Sequence, residues 1–537
     1  MAELSEQLIK SFRALGVRHV FGIPGGPSIP YMEAMRNNGV EFVLVSNEQS
    51  AAIMADVCGR LTGIPGVCHA TFGPGATNLL TGVGEAFLDR SPLIALTTEV
   101  KDQDIGRKVQ MNIDHQALFK PVTKWTTRLS EKNFKETITR AFRIAASEVP
   151  GPVHIGLPVD IDGKNPDNGA LVTGFEKDAV PSPEPLLLEE AGRIMGLAKK
   201  PVLAIGLSVA RLGLWQAVRE FVAKNKMPVV LTPMAKGVIP ESDPWYAGVL
   251  FHARSDLVAD IYRDADLVIG LGYDPIEFNY ESWMPPVPLI HIDTASVDIT
   301  PEYDVTCNVT GSLAEALDYL NSIDLPEYRW DVEQIKENKN KIYRELSPQT
   351  GTFTPSGLLN VLREILPEDG ILTGDVGAHV HLLGQLWKVN EPGRFIMTNG
   401  WSSMGFGIPA AVGAKICCPQ RPVVCITGDG GFLMNCGEVL TARRLGINVV
   451  IIVLCDRSLS LIDVKQDFKN VPGYGTVLYE GEYFQADKFL GAPVFKAYDE
   501  SELKLSLHKA FSLSGPAIIE AVVDGTGYKN LITRSFK

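Results

Sequence analysis

Two runs of branched apolar residues constrain this chain more than any other feature: PVVCIT at Pro422 to Thr427 and INVVIIVLC at Ile447 to Cys455. Uninterrupted Val/Ile runs of this length belong to strands buried on both faces of a parallel sheet. Between them, Phe432, Leu433, Cys436, Val439, Leu440 and Leu445 recur near helical spacing, which predicts a single crossover helix and a right-handed βαβ unit. Its two strands are expected to be neighbours, about 4.8 Å apart. Asp429 and Asp456 each stand just beyond the end of one run, so both carboxylates reach one crevice at the carboxyl edge. Hard carboxylate oxygens suit Mg²⁺, which binds few protein groups and keeps positions for phosphate oxygens. Gly430 and Gly431 allow close backbone approach, and the following helix N-terminus favours an anion. The pattern reads as a metal-diphosphate seat; a lone GDG more often makes a tight turn with a capping Asp, and the second Asp, at the next strand end, shifts the balance to the seat.

The rest of the chain repeats this style of construction. VRHVFGI, EFVLVS, GVCHAT, PLIALTTEV and GPVHIGLPV alternate with helical segments over residues 1–165, and PVLAIG, PVVLT, LVIGLG and LIHID do so over 188–322. GILTGD, RFIMTN, PVVCIT, INVVIIVLC and PAIIEAVV follow over 353–537. The expectation is an α/β protein of three doubly wound parallel-sheet domains. GPVHIGLPVD at Gly151 is echoed by GPAIIEAVVD at Gly515, which suggests that the first and third domains are copies of one fold. Residues 164–187, rich in Pro, Asp, Asn and Gly, read as a surface linker, and the stretch around YRWDVEQIKENKNKIYREL as a polar segment closing the middle domain.

A length of 537 residues accommodates about three domains. Net charge −13 without a Lys/Arg cluster argues against nucleic acid or an anionic membrane as partner. No apolar run approaches the roughly 18 residues of a membrane span, and the first residues lack a signal-peptide pattern, so a cytoplasmic location is expected. The eight cysteines show no paired metal-ligand spacing and are expected to be reduced core residues.

The step from Gly428-Asp429-Gly430 to Asp456 resembles the GDG-to-Asn signature of thiamin diphosphate enzymes, with Asp456 in the Asn position. That exchange, together with GYDPIEFNYESW at Gly272 to Trp283, is similar to the FAD-independent, catabolic acetolactate synthases. The resemblance implies Mg²⁺ held by Asp429, Asp456 and the Ser458 carbonyl, and no flavin in a Rossmann-like middle domain. It implies that the first domain holds the pyrimidine, from SNEQSAAIMADVCGRLTGIPGVCHATFGPGATN. There Glu48 would bond the aminopyrimidine and promote the tautomer that activates the thiazolium carbon, with Pro24, Gly25, Thr71, Pro74 and Asn78 in contact with the ring. In the third domain it implies that Val376, Gly377, Ala378 and His379 face the diphosphate beside Gly430 and Gly431, that the Ser402 carbonyl accepts from the 4′-amino group, and that Met404 is the wedge bending the cofactor. Gln110 resembles a Gln lining the reaction space of carboligases and reads equally as an exposed loop residue. His69 stands where benzoylformate decarboxylase carries an active-site His, and reads also as a core histidine.

The function implied is decarboxylation of a pyruvate-like 2-oxo acid with carboligation to a carbonyl acceptor, as in acetolactate synthase. The alternative is a non-oxidative 2-oxo acid decarboxylase or a carbon–carbon lyase, to which His69 and Gln110 point. A non-catalytic protein that merely kept the fold is opposed by Glu48, Asp429, Asp456 and Met404 standing together. Because one cofactor must touch the first and third domains, the resemblance implies a homodimer or homotetramer with sites shared between chains.

Overall fold

The computed structural model describes residues 3–161, 163–166, 171–250, 253–348 and 350–531. Three sheets flanked by helices carry the chain. The first contains β1 (His19–Ile23), β2 (Glu41–Leu44), β3 (Gly66–Ala70), β4 (Leu93–Glu99), β5 (Trp125–Arg128) and β6 (Pro152–Pro158), in the order β2-β1-β3-β4-β6-β5 and parallel throughout. The second contains β7 (Pro201–Ile205), β8 (Val229–Leu231), β9 (Tyr246–Val249), β10 (Leu267–Leu271), β11 (Leu289–Asp293) and β12 (Val305–Thr310). Its order, β12-β11-β10-β7-β8-β9, is the doubly wound Rossmann order.

The third contains β13 (Ile371–Gly374), β14 (Phe395–Ile396), β15 (Val423–Gly428), β16 (Val450–Cys455), β17 (Lys488–Phe489), β18 (Ala492–Ala497) and β19 (Ala517–Val522), ordered β14-β13-β15-β16-β19-β18-β17. Without the antiparallel edge strand β17, this is the topology of the first sheet, strand for strand. The Gly151/Gly515 echo therefore marks equivalent strands, β6 and β19, in two copies of one fold. The strands formed by the Val/Ile runs are buried as expected: β16 lies between β15 and β19 with every residue covered.

Three expectations are corrected. The crossover between β15 and β16 is two short helices, Asp429–Asn435 and Glu438–Leu445. The break lies where Gly437 passes against Ser46 of the first domain, so close that an added Cβ would stand 2.7 Å from the Ser46 Cβ. Phe432 and Val439 are buried, whereas Leu433, Met434 and Leu440 are exposed, so the apolar spacing that predicted one buried face served two surfaces. The segment read as polar after residue 322 contains a helix, Val332–Leu346, which buries Ile335, Ile342 and Leu346 against the middle domain. Cys58 and Cys417, expected to be reduced, are bonded to each other between two helices, Glu48–Thr62 and Gly407–Cys417, one from each cofactor-type domain.

In the stretch read as a linker at 164–187 the described residues before the Pro185 helix form neither helix nor strand, with Val172 buried on the first domain and its N–H bonded to the Ser11 hydroxyl. Residues 167–170 of that stretch lie outside the described residues. Among the described residues no helix is long and apolar enough to cross a membrane.

Candidate active site

β15 and β16 are adjacent and in parallel register, Gly428 opposite Leu454, so Asp429 and Asp456 leave the same sheet edge side by side. Asp429 opens its helix and is 2 % exposed. One of its oxygens accepts from the Gly430 amide and the other from the Arg457 amide, both at 2.8 Å, which ties the two strand ends together. Arg457 takes a left-handed φ of 71° to present that amide. Burial pushes the Asp429 carboxyl up to about 6, the negative charge of Asp456 adds to the effect, and the two amides oppose it. Burial raises Asp456 too, while the Ser460 hydroxyl at 2.6 Å holds it down. Among the described residues neither carboxylate is paired with a basic side chain.

Ser458 turns its hydroxyl to Asp463 and to the Thr476 carbonyl, and no described hydrogen bond ends on its own carbonyl. A cavity of about 410 Å³ opens here, lined by Asp456, Arg457, Ser458, Asp463, Thr476 and Tyr479. The donor set, two unneutralised carboxylates and a free carbonyl, is chemically that of a hard divalent cation.

β13 ends beside β15 and repeats its last letters: Thr373-Gly374-Asp375 matches Thr427-Gly428-Asp429. Asp375 is wholly buried, accepts from the Thr427 hydroxyl and the Val376 amide at 2.7 Å and from the Gly405 amide at 2.8 Å, and is pushed by burial up to about 6. Asn435 donates to the Gly405 carbonyl at 2.8 Å. The segment from Ser402 to Gly405 is thus clamped from both sides, with Ser402 at φ 57° and Gly405 at φ 87°. The Met404 methyl lies 3.3 Å from where a Cβ on Gly430 would stand, and a Cβ on Gly431 would come within 2.6 Å of Asp375. Both glycines are needed for close approach.

Val376 and Gly377 lead into the helix Ala378–Leu386. The His379 ring is buried, neutral because burial lowers it to about 4, and its Nε2 has no partner among the described residues. A Cβ on Gly377 would meet that ring at 2.7 Å.

In the first domain Glu48 opens the helix Glu48–Thr62, capped by Asn47 through the Gln49 amide at 2.9 Å. It is 7 % exposed and accepts from the Asn78 side chain at 3.1 Å. The Gly73 turn, at φ 69°, starts the helix Pro74–Leu88 that carries Asn78, and a Cβ on Gly75 would lie 3.4 Å from the Glu48 carboxylate. Thr71 packs so close to Gly25, next to Pro24, that a Cβ there would be 2.3 Å from its hydroxyl.

His69 is 1 % exposed and shares a 2.7 Å hydrogen bond with the Ser28 hydroxyl, which accepts from the Gly25 amide at 3.0 Å. Burial lowers His69 to about 4, so it holds the Pro24–Gly25 loop as a neutral ring. Gln110 is exposed, on a segment whose neighbour Met111 brings its carbonyl within 2.7 Å of where a Gly73 Cβ would be.

Within one chain the two groups of residues do not meet through hydrogen bonds: among the described residues none joins Glu48, Thr71 or Asn78 to Asp429, Asp456 or Asp375. The flanking residues do meet, Gln49 donating to the Ser403 hydroxyl at 3.0 Å and the Ser46 amide to Glu438 at 2.9 Å. Sequence reasoning missed Asp375, Asn435 and Asp89, which accepts from the Gly400 amide at 2.8 Å. The repeated TGD could have revealed Asp375; nothing local marks the other two.

Family models match the chain in three places. The N-terminal TPP binding domain of thiamine pyrophosphate enzymes matches residues 2–118, the central domain 188–320 and the C-terminal TPP binding domain 375–521. The probable acetolactate synthase large subunit of Methanocaldococcus jannaschii is 31% identical over 97% of this chain and 92% of its own length. The chain belongs to the thiamine pyrophosphate enzyme family. The acetolactate synthase isozyme 2 large subunit of Escherichia coli is 33% identical over 85% of this chain and 84% of its own, and the acetolactate synthase of Bacillus subtilis 29% over 96% and 92%. This thiamin diphosphate enzyme is thus of the acetolactate synthase-like type. Its residues are compatible with the cofactor: His379 Nε2, without a partner among the described residues, the close approaches at Gly25, Gly75, Gly430 and Gly431, and the buried Glu48 with its Asn78 donor offer polar atoms and space of the kind a diphosphate and an aminopyrimidine take up.

Proposed function

We propose that the chain decarboxylates a pyruvate-like 2-oxo acid and joins the acyl unit to a carbonyl acceptor, as an acetolactate synthase, using thiamin diphosphate and Mg²⁺. The observation that carries the reading is the Asp429–Asp456 pair at adjacent strand ends, Asp429 buried and Asp456 half-buried, two carboxylates that among the described residues have no basic partner and that a divalent cation would neutralise. Thiamin diphosphate, when bound, supplies a nucleophilic carbon and an electron sink for decarboxylation. Asp429, Asp456 and the Ser458 carbonyl would hold the metal; Val376, Gly377, Ala378, His379, Gly430 and Gly431 would receive the diphosphate. Glu48, which accepts from Asn78, would hold a proton at the aminopyrimidine, the Ser402 carbonyl would accept from its amino group, and Met404 would pack against the cofactor. Pro24, Gly25, Thr71 and Pro74 pack on the ring, and Gln110 and His69 bear on substrate choice, His69 through the Pro24–Gly25 loop.

The sites are shared between chains of a homodimer or a dimer of dimers. In support, Leu433 is 55 % exposed, Met434 51 % and Leu440 41 %, an apolar surface beside the cofactor residues of the kind that marks a protein interface. The middle domain takes no flavin in this reading. At its carboxyl edge, where a Rossmann sheet receives a dinucleotide, the Glu277 carboxylate already accepts from the Leu207 and Met234 amides, each at 3.0 Å, and from the Thr232 hydroxyl at 2.7 Å.

Incubation of the protein with pyruvate, thiamin diphosphate and Mg²⁺ tests the reading. Acetolactate or acetoin is the expected product; acetaldehyde alone would make the protein a decarboxylase, and no turnover would favour a lyase.

A further inference from the structure

Next to the Gly73 turn lies a buried cluster that the chemistry above does not use: Glu99, His115 and His154, whose ligand-type atoms all lie within 4.8 Å of one another. Each histidine nitrogen is engaged. The Gly73 amide donates to His115 Nε2 at 3.3 Å, and His115 Nδ1 lies 2.9 Å from the Thr97 hydroxyl. That hydroxyl is 2.7 Å from His154 Nε2, and His154 Nδ1 is 2.8 Å from the Thr126 hydroxyl. Thr126 donates to Gln116 Oε1 at 2.7 Å, and Gln116 Nε2 donates to Glu99 at 2.6 Å. Arg128 closes the series on the other Glu99 oxygen. With its nitrogens committed and a guanidinium on its carboxylate, the cluster is a hydrogen-bond chain rather than a metal centre.

The direction of every link is forced from both ends. A backbone amide only donates, so His115 Nε2 accepts; the neutral ring then carries its proton on Nδ1 and donates to Thr97. Thr97 must pass its own proton to His154 Nε2, which leaves His154 Nδ1–H to donate to Thr126. From the far end, Gln116 Nε2 faces two acceptors, Glu99 and the Thr127 carbonyl at 3.2 Å, so its oxygen must accept from Thr126. Both ends of the chain demand the same direction. Phe119 stacks on His154 at 4.1 Å with the rings 7° from parallel, which keeps the middle of the chain dry. Because it begins on a peptide N–H that cannot give up its proton, the chain cannot act as a proton relay; what it can do is hold the Gly73 peptide.

We propose that His115, Thr97 and His154 are positioning residues that, through this one-way chain, set the Gly73 turn and hence the placement of Pro74 and Asn78 against Glu48 in the pyrimidine pocket. The inference rests on the thiamin diphosphate reading above. It predicts a loss confined to the pyrimidine half of the site. Thr97→Val keeps the shape but removes the hydroxyl that joins the two rings, whereas Thr97→Ser keeps the link.

Titration calorimetry at saturating Mg²⁺ with two probes decides. Thiamin diphosphate engages both halves of the site, and inorganic pyrophosphate only the third-domain seat. Thr97→Val should weaken thiamin diphosphate by about tenfold or more, leave pyrophosphate within about twofold, and Thr97→Ser should return the cofactor to within about threefold of wild type. Unchanged cofactor affinity in Thr97→Val, or parallel loss of both probes, would overturn the proposal. Should Thr97→Val not fold, His115→Gln, which keeps an acceptor for Gly73, against His115→Leu, which does not, makes the same comparison, and equal cofactor binding by those two would overturn it. Failure of the wild-type protein to bind thiamin diphosphate would sink the functional reading itself, and this inference with it.

Discussion

The Asp429–Asp456 pair makes a quantitative prediction about proton release. Burial and the neighbouring charge raise the Asp429 carboxyl from 3.8 to about 6. Because the folded-state value lies above the unfolded one, the group's contribution to stability is complete below about pH 4 and is lost as pH rises through about 6. In the metal-free protein that loss approaches 3 kcal/mol by neutral pH, at about 1.4 kcal/mol per pH unit. A metal that needs the ionised carboxylate reverses the sign for the bound state: binding expels about half a proton from Asp429 at pH 6, about 0.9 at pH 5 and almost none at pH 7.5. Affinity for Mg²⁺ with thiamin diphosphate should therefore fall about tenfold from pH 7.5 to 5 on this account alone.

Asp456→Asn removes the neighbouring charge but keeps an oxygen ligand, so it should still bind metal and release fewer protons at pH 6. Burial, the larger cause, remains, so the release should not vanish. Calorimetry at pH 6 in two buffers of different ionisation enthalpy measures the proton count, and the difference between wild type and mutant cancels protons lost by the cofactor itself. Equal counts in the two proteins would refute the electrostatic coupling. Loss of metal binding in Asp456→Asn would show that the charge rather than the oxygen is required.

Asp429→Ala should abolish cofactor retention after gel filtration, since the diphosphate loses its metal bridge; unchanged affinity would remove this seat from consideration. Glu48→Gln and Asp429→Ala, each inactive, should recover activity when mixed under subunit exchange, up to about half the wild-type value per hybrid dimer if the two sites act independently. No recovery despite demonstrated exchange would mean that both residues serve one chain's site. Arg60 bonds Asp56 and Asp89, both wholly buried side chains, at 2.5 and 2.8 Å. Arg60→Met should therefore cost about 3–5 kcal/mol by stranding two carboxylates, read as a lowered midpoint in denaturant; an unchanged midpoint would mean the acids are neutral in the fold.

What the sequence determined by itself was whatever has a local period or a local chemical need. Burial on both faces of a parallel strand leaves unbroken Val/Ile runs, so β15 and β16 and the two acids beyond them were readable from Pro422 to Asp456. Glu48 was legible only through the resemblance of its segment to a pyrimidine-binding domain, and the Gly151/Gly515 echo suggested that β6 and β19 hold the same place in two like sheets. The tertiary structure decided what depends on partners far apart in the chain. Asp375 meets Gly405, Arg60 meets Asp89 and the Met397 carbonyl, and His115 reaches His154 through Thr97; apart from the repeated TGD that ends in Asp375, none of these residues differs in its own neighbourhood from an ordinary buried or capping residue. The break between Asn435 and Glu438 likewise follows from Ser46 pressing on Gly437 across nearly four hundred residues of chain. Hydrogen-bond complementarity between distant segments has no period along the sequence; it exists only once the sheets have brought the segments together, and that is why the strand ends were legible and the clamps that hold them were not.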